Sequence, residues 1–163
     1  MIFKFLSKNF YISFSIVALI YFLDRLTKIY VIQLDKNNLG SDIFNSAYLN
    51  IILIWNKGIA FGLLSFNESH LYNILSLIIS IIVVILVIMS LKSQGFKRYS
   101  LLMIVGGAIG NLHDRIFFNA VPDFIDFHVG NFHWFIFNVS DIFISVGVIL
   151  MVILEIIDKP KKI

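Results

Sequence analysis

The sequence predicts an integral membrane protein, mainly α, with four transmembrane helices and a small extracytoplasmic β-sheet. Three observations carry this. Hydrophobic residues make up 59% of the 163 positions and charged residues only 14%, where soluble domains hold about one quarter charged residues. Four apolar stretches are each long enough to cross a bilayer. The basic residues gather in the connections that share one side of the membrane if the number of crossings is four.

The clearest span is residues 71–91, LYNILSLIISIIVVILVIMSL, with no charge in it and a helical length of roughly 30 Å. A first span is expected at about residues 10–30, and its later part carries Asp24, Arg25 and Lys28. Those groups belong near an interface or inside the protein. A third, at about 99–118, carries Asn111, His113, Asp114 and Arg115 in its second half, and a fourth runs from about 138 to 157 with Asp141 near its start. Lys4 and Lys8, then Lys92, Lys97 and Arg98, then Lys159, Lys161 and Lys162 flank the spans on one side. Both termini are therefore expected in the cytoplasm, with segments at about 31–70 and 118–137 outside. The lysines ahead of the first span superficially resemble a signal peptide, but three further spans and no small-residue cleavage site favour a retained anchor.

Residues 48–66, YLNIILIWNKGIAFGLLSF, are too interrupted for a span. Their β-branched and aromatic content suits strands on either side of the NKG turn signal, and VPDFIDFHV has the same character. The two regions are expected to join in one sheet at the membrane surface. No internal repeat or low-complexity linker marks a second domain, so residues 1–163 read as one membrane-embedded unit. A formal charge of +3 with no basic tract gives nucleic-acid binding no support. The absence of cysteine excludes disulfides, thiolate ligands and cysteine nucleophiles.

Polar clusters fall toward the outer ends of three spans: DRLTK, GNLHDR and FNVSD. Isolated ionisable groups in lipid are costly, whereas converging ones share hydrogen bonds and a wet cavity. Asp24 and Lys28 share a helix face at i,i+4 spacing, which suits an ion pair, and Arg25 and Lys28 are long enough to snorkel to headgroups. Asn111 and Arg115 lie one turn apart, facing the fourth helix or an outer loop, with Asp114 pointing elsewhere. Asn138 through Asp141 reads as an N-cap followed by a carboxylate at the third helical position.

Within VPDFIDF, Asp123 and Asp126 are three apart and point to opposite faces of a strand. Asp123 follows Pro122, which could begin a rigid turn, and Asp126 precedes His128 and suits the wet surface; composition alone slightly favours Asp123 without settling the choice. A carboxylate from this strand close to Asp141 would have a concrete use. Two neighbouring carboxyl groups cannot both ionise cheaply, so one keeps a proton while the other acts as base toward water. Ion transport and structural networks use membrane carboxylates too. His128 and His133 stand near both aspartates, but their spacing completes no recognised zinc pattern, so no metal is expected; His70 and His113 are isolated.

In order along the chain, DRLTK at 24–28, NKGIAFGLL at 56–64, GGAIGNLHDR at 106–115, VPDFIDF at 121–127 and FNVSD at 137–141 resemble the motifs of the bacterial lipoprotein signal peptidase family, also called signal peptidase II. The resemblance covers nearly the whole chain. It implies a multi-pass aspartic endopeptidase of the bacterial inner membrane, with its active site near the extracytoplasmic face. Its reaction would remove signal peptides from diacylglyceryl-modified prolipoproteins, cutting immediately before the lipidated cysteine. It implies Asp123 and Asp141 as the catalytic pair, Asn56, Asn111, Arg115 and Asn138 as the surrounding polar shell, and Asp24 and Lys28 in structural or headgroup contact. Asp126 becomes a supporting or surface residue. Prolipoproteins and membrane phospholipids are the implied partners, with no cofactor, no metal and no obligate protein partner. Ser140 and Ile59 stand where the family often has alanine, and Pro122 where it has an aliphatic residue. None of these removes a carboxylate.

Overall fold

The computed structural model describes residues 8–38, 43–58 and 69–157. Four long helices, α1 (Lys8–Asn37), α2 (Ser69–Lys92), α3 (Gly95–Phe118) and α4 (Val139–Ile157), alternate with four strands, β1 (Phe44–Asn45), β2 (Leu49–Asn56), β3 (Val121–Val129) and β4 (Phe132–Phe137). All four helices are long and apolar enough to cross a membrane, and the chain is a multi-pass membrane protein. The expected spans coincide with them, and α1 continues about two turns past the expected end of its span, so residues 31–37 are helix. No glycine or proline interrupts IYVIQLDKN, so nothing stops the helix at the apolar boundary.

The bundle is built around α3, which packs on each of the other three helices. Leu101, Leu102 and Val105 are buried there, while Phe14, Phe22 and Leu26 of α1, Leu77 and Val84 of α2 and Ile149 of α4 are exposed. An apolar exterior around a helical interior is what lipid as solvent favours. The tightest approach is between α3 and α4: a side chain on Gly107 would run into the backbone carbonyl of Ser140 and into Ile144.

The strands form one antiparallel sheet in the order β1-β2-β3-β4. Connectivity sets it at the end of the bundle where α1 and α3 finish and α2 and α4 begin. The two expected strand regions do pair, β2 with β3; the part of the NKG-flanking segment beyond residue 58 lies outside the described residues. Asn119, in the left-handed conformation at φ 53°, turns the chain sharply from α3 into β3, a geometry asparagine tolerates better than most residues. Pro122 lies within β3 rather than opening a turn. It pairs with Trp55 where β3 has only β2 as neighbour, so its missing N–H interrupts no ladder toward β4. Gly130, at φ 58°, takes the first position of the two-residue loop joining β3 to β4, where positive φ matches the strand twist.

Four buried or nearly buried charges tie α1 to α3. Lys28 Nζ lies 2.9 Å from Asp24 Oδ1 and 2.7 Å from Asp114 Oδ2. Arg25 reaches Asp24 at 2.9 Å and Asp114 at 2.5 Å. Two positive and two negative groups make the cluster neutral, the condition under which charges are tolerated at membrane depth. The i,i+4 pairing of Asp24 with Lys28 is present, but Lys28 and Asp24 are both 0% exposed. Headgroup contact by these two residues is thereby overturned: Asp114, contributed by a different helix, draws the ammonium inward. Replacing Lys28 by Met should leave two buried carboxylates sharing Arg25 alone and cost about 3–5 kcal/mol of stability. Thermal unfolding in detergent checks this, and an unchanged midpoint contradicts it.

Candidate active site

The start of α4 organises the polar end of the bundle. Asn138 Oδ1 accepts a hydrogen bond from the Asp141 N–H at 3.1 Å, and the Asn138 N–H donates to Asp141 Oδ2 at 3.2 Å. This is a reciprocal capping box with aspartate in the third position. The remaining function of Asn138, its Nδ2, donates to Asp123 Oδ1 at 2.6 Å. One asparagine, itself 0% exposed, thus touches both aspartates.

Two more asparagines complete the frame. Asn56, the last residue of β2, donates from Nδ2 to Asp123 Oδ2 at 2.8 Å while its Oδ1 accepts from the Gly58 N–H at 2.7 Å. Asn111, on α3, donates from Nδ2 to Asp141 Oδ1 at 2.8 Å while its Oδ1 accepts from Lys28 Nζ at 2.9 Å. In all three asparagines the amide oxygen is held by a group that can only donate, so the amide nitrogen is left facing a carboxylate. The orientation of each amide follows from that. Lys28 therefore acts on Asp141 at one remove, by turning Asn111.

Asp123 and Asp141 are both buried. Loss of water around Asp123 and, next in size, the nearby negative charge of Asp141 together raise its pKa to about 7. The amide donors Asn56 and Asn138 oppose the rise and are outweighed. A carboxyl group that still holds a proton near neutrality, beside a second carboxyl group, is the electrostatic arrangement of a proton-sharing pair.

The other residues singled out from the sequence fall around this centre in distinct ways. Asp24 accepts the Ser140 N–H on Oδ1 at 3.1 Å, so the α1 carboxylate also anchors the first turn of α4. Gly110 makes this possible, since a side chain there would strike Ser140 Oγ and the Asp24 carboxylate. Arg115 engages other groups: it donates to the Gly58 carbonyl at 2.5 Å and lies over the Tyr72 ring. It therefore fixes the chain just after Asn56. His113 pairs with Tyr21 Oη at 3.0 Å.

Asp126 departs from expectation. It is 1% exposed, not a surface residue, and it meets His133 Nδ1 at 2.9 Å and Asn50 Nδ2 at 3.3 Å. Asp123 and Asp126 do turn to different partners, as three-residue spacing on a strand requires. The structure also gathers Asp126, His128 and His133, whose nearest ligating atoms all lie within 4.8 Å of one another. Spacing along the chain gave no hint of this, because the three meet through pairing of β3 with β4. The contacts of Arg25, Gly58 and the Ser140 N–H were not anticipated either; only the i,i+4 and capping spacings carried a local signal.

The sequence model of the family described as Signal peptidase (SPase) II matches residues 16–157. A lipoprotein signal peptidase of Pelagibacter ubique is 45% identical over 155 residues, covering 95% of this chain and 93% of its own length. One from Anaplasma phagocytophilum is 40% identical, covering 89% and 92%. Two solved structures, each described as a bacterial membrane enzyme, superpose with TM-scores of 0.72 and 0.73 at 28% and 30% identity, covering 93% and 90% of this chain and 93% and 94% of their own. The chain is therefore a membrane peptidase that belongs to the signal peptidase II family, with which the lipoprotein signal peptidases are named.

Proposed function

We propose that this peptidase removes signal peptides from diacylglyceryl-modified prolipoproteins, cutting immediately before the lipidated cysteine by means of a water molecule activated between Asp123 and Asp141. The observation that carries this reading is the double engagement of Asn138, which donates to Asp123 and forms the cap with Asp141. A second support is the raised pKa of Asp123, about 7, which suits it to hold a proton at neutral pH.

In this mechanism Asp141 is the carboxylate. It sits in the first turn of α4, where the helix dipole favours negative charge, and it receives donors from Asn111 and the Asn138 backbone. Asp141 takes one proton from water as the water oxygen bonds to the scissile carbonyl carbon. Asp123, protonated, hydrogen-bonds the carbonyl oxygen as negative charge develops there. Collapse of the tetrahedral intermediate breaks the C–N bond. The proton gained by Asp141 passes to the departing nitrogen, which becomes the free amine of the lipidated cysteine. Asn56, Asn111 and Asn138 hold the carboxyl groups in register, and Arg115 holds the Asn56 segment; no cofactor or metal enters this reaction.

The membrane supplies alignment. A signal helix and two acyl chains can stay in lipid while the peptide bond meets water at the polar end of the bundle, so no large apolar surface is exposed. The distribution of Lys and Arg supports cytoplasmic termini and an extracytoplasmic site in the inner membrane, with the whole chain acting as one peptidase domain. An ion-path reading has less support: Asp24 and Asp114 are closed within a neutral cluster with Arg25 and Lys28.

Asp123→Asn and Asp141→Asn should each lower turnover of a diacylglyceryl-modified lipobox peptide by a factor of about 10² to 10⁴ or more, with unchanged helical circular dichroism. Mass spectrometry of the products locates the cut, and turnover near the wild-type rate in either variant contradicts the pair. The pH profile of kcat/KM should be bell-shaped. Asp123 must carry its proton, so the rate falls as pH rises past about 7; on the acid side it falls as the carboxylate partner is protonated. A rate that is flat from about pH 6 to about pH 9 contradicts this assignment.

A further inference from the structure

We infer that Asp126, His128 and His133 form a binding site for a divalent first-row transition ion, separate from the Asp123 and Asp141 centre. His128 and His133 are direct cross-strand partners in the β3–β4 ladder, and Asp126, two residues before His128 and across a register shift from it, meets His133 Nδ1 at 2.9 Å, so the three side chains converge. Their ligating atoms lie within 4.8 Å of one another. Two imidazoles with one carboxylate are a recognised donor set for such ions, leaving coordination positions for water.

Three features of the cluster fit a cation better than a plain structural contact. Asp126 is a buried carboxylate whose described partners are the Asn50 amide and His133, itself half exposed. Among the described residues, that leaves its charge without a permanent counterion. His128 Nδ1 is enclosed yet makes no hydrogen bond among the described residues, so it is an available donor for a metal. The two imidazole rings are stacked, with centroids 4.9 Å apart and planes at 18°. The stack holds the two rings side by side, with their ligating atoms and that of Asp126 within reach of one ion. The exposed edge of His133, at 51% side-chain exposure, gives an ion access from water.

Binding requires a modest contraction. Metal–ligand bonds of roughly 2.0–2.2 Å set ligand atoms about 3.3 Å apart in a tetrahedral site. The ion would exchange the Asp126–His133 hydrogen bond for two coordinate bonds and clamp β4 onto β3, the strand that also carries Asp123. Its role is to brace the sheet, not to activate the reacting water.

The test uses the full-length protein, purified in detergent and stripped with a chelator. Zn²⁺ is titrated by calorimetry, and metal retained after dialysis is counted by elemental analysis. One ion per chain is expected, with affinity at least about tenfold weaker in His128→Tyr and in His133→Gln, and unchanged in Asp123→Asn and Asp141→Asn. Co²⁺ in place of Zn²⁺ should give visible d–d absorption that His128→Tyr abolishes. Neither histidine is fully buried, and both changes spare the buried Asp126. No stoichiometric binding, or binding that survives both histidine substitutions, overturns the site. Binding lost instead in the two aspartate variants assigns the ion to the other centre and overturns it as well. Because the readout is bound metal, its failure is distinguishable from a failure of peptide cleavage.

Discussion

The polar end of this protein depends on the three hydrogen bonds of Asn138. Two belong to the cap of α4 and involve Asp141; the third, from the side-chain nitrogen, crosses to Asp123 on β3. A helix start and a strand are thereby locked to one amide. If the cap shifted, the carboxamide would turn and the donor to Asp123 would be lost. Because Asn138 is completely buried, no water is at hand to replace a missing partner, and an unsatisfied group there costs about 1–3 kcal/mol. The mutual position of the two carboxyl groups is therefore set by local helix chemistry as much as by tertiary packing.

The neutral cluster beneath this amide extends the same logic into the bundle. Asp24 receives the Ser140 N–H and Lys28 holds Asn111, so α1 touches both the first turn of α4 and the amide that faces Asp141. The charges cannot act singly at this depth, since each is stable only while the others remain. Polar groups thus fix relative helix positions at one end, while close packing of Gly147 of α4 against Ile104 and the Ser100 carbonyl of α3 fixes the two helices farther along. In lipid, where burial of apolar surface supplies little force between helices, these are the interactions left to specify the bundle.

Much of this was legible in the sequence, and the exceptions have a common cause. The spans followed from apolar runs, and the cap of α4 from the spacing of Asn138 and Asp141. The pairing of β2 with β3 followed from matching strand composition. Each of those signals is local or compositional. The burial of Lys28 was not legible because Asp114, its partner, lies 86 positions away. The burial of Asp126, and its meeting with His128 and His133, depend on the β3–β4 register, which shifts between Asp126 and His128. A one-residue slip would send these side chains to the other face. Amide orientations at Asn56, Asn111 and Asn138 are likewise invisible until the donor behind each oxygen is known.

The central claim is that Asp123 and Asp141 are electrostatically coupled across one small site. Carbon-13 NMR of the aspartate side-chain carboxyls, followed against pH in detergent with wild type and Asp141→Asn compared, tests it most directly. In wild type the Asp123 resonance should titrate near pH 7. Removing the Asp141 charge should move that midpoint to lower pH, because one of the two causes of its elevation is gone. An Asp123 midpoint that is the same in both proteins would contradict the coupling.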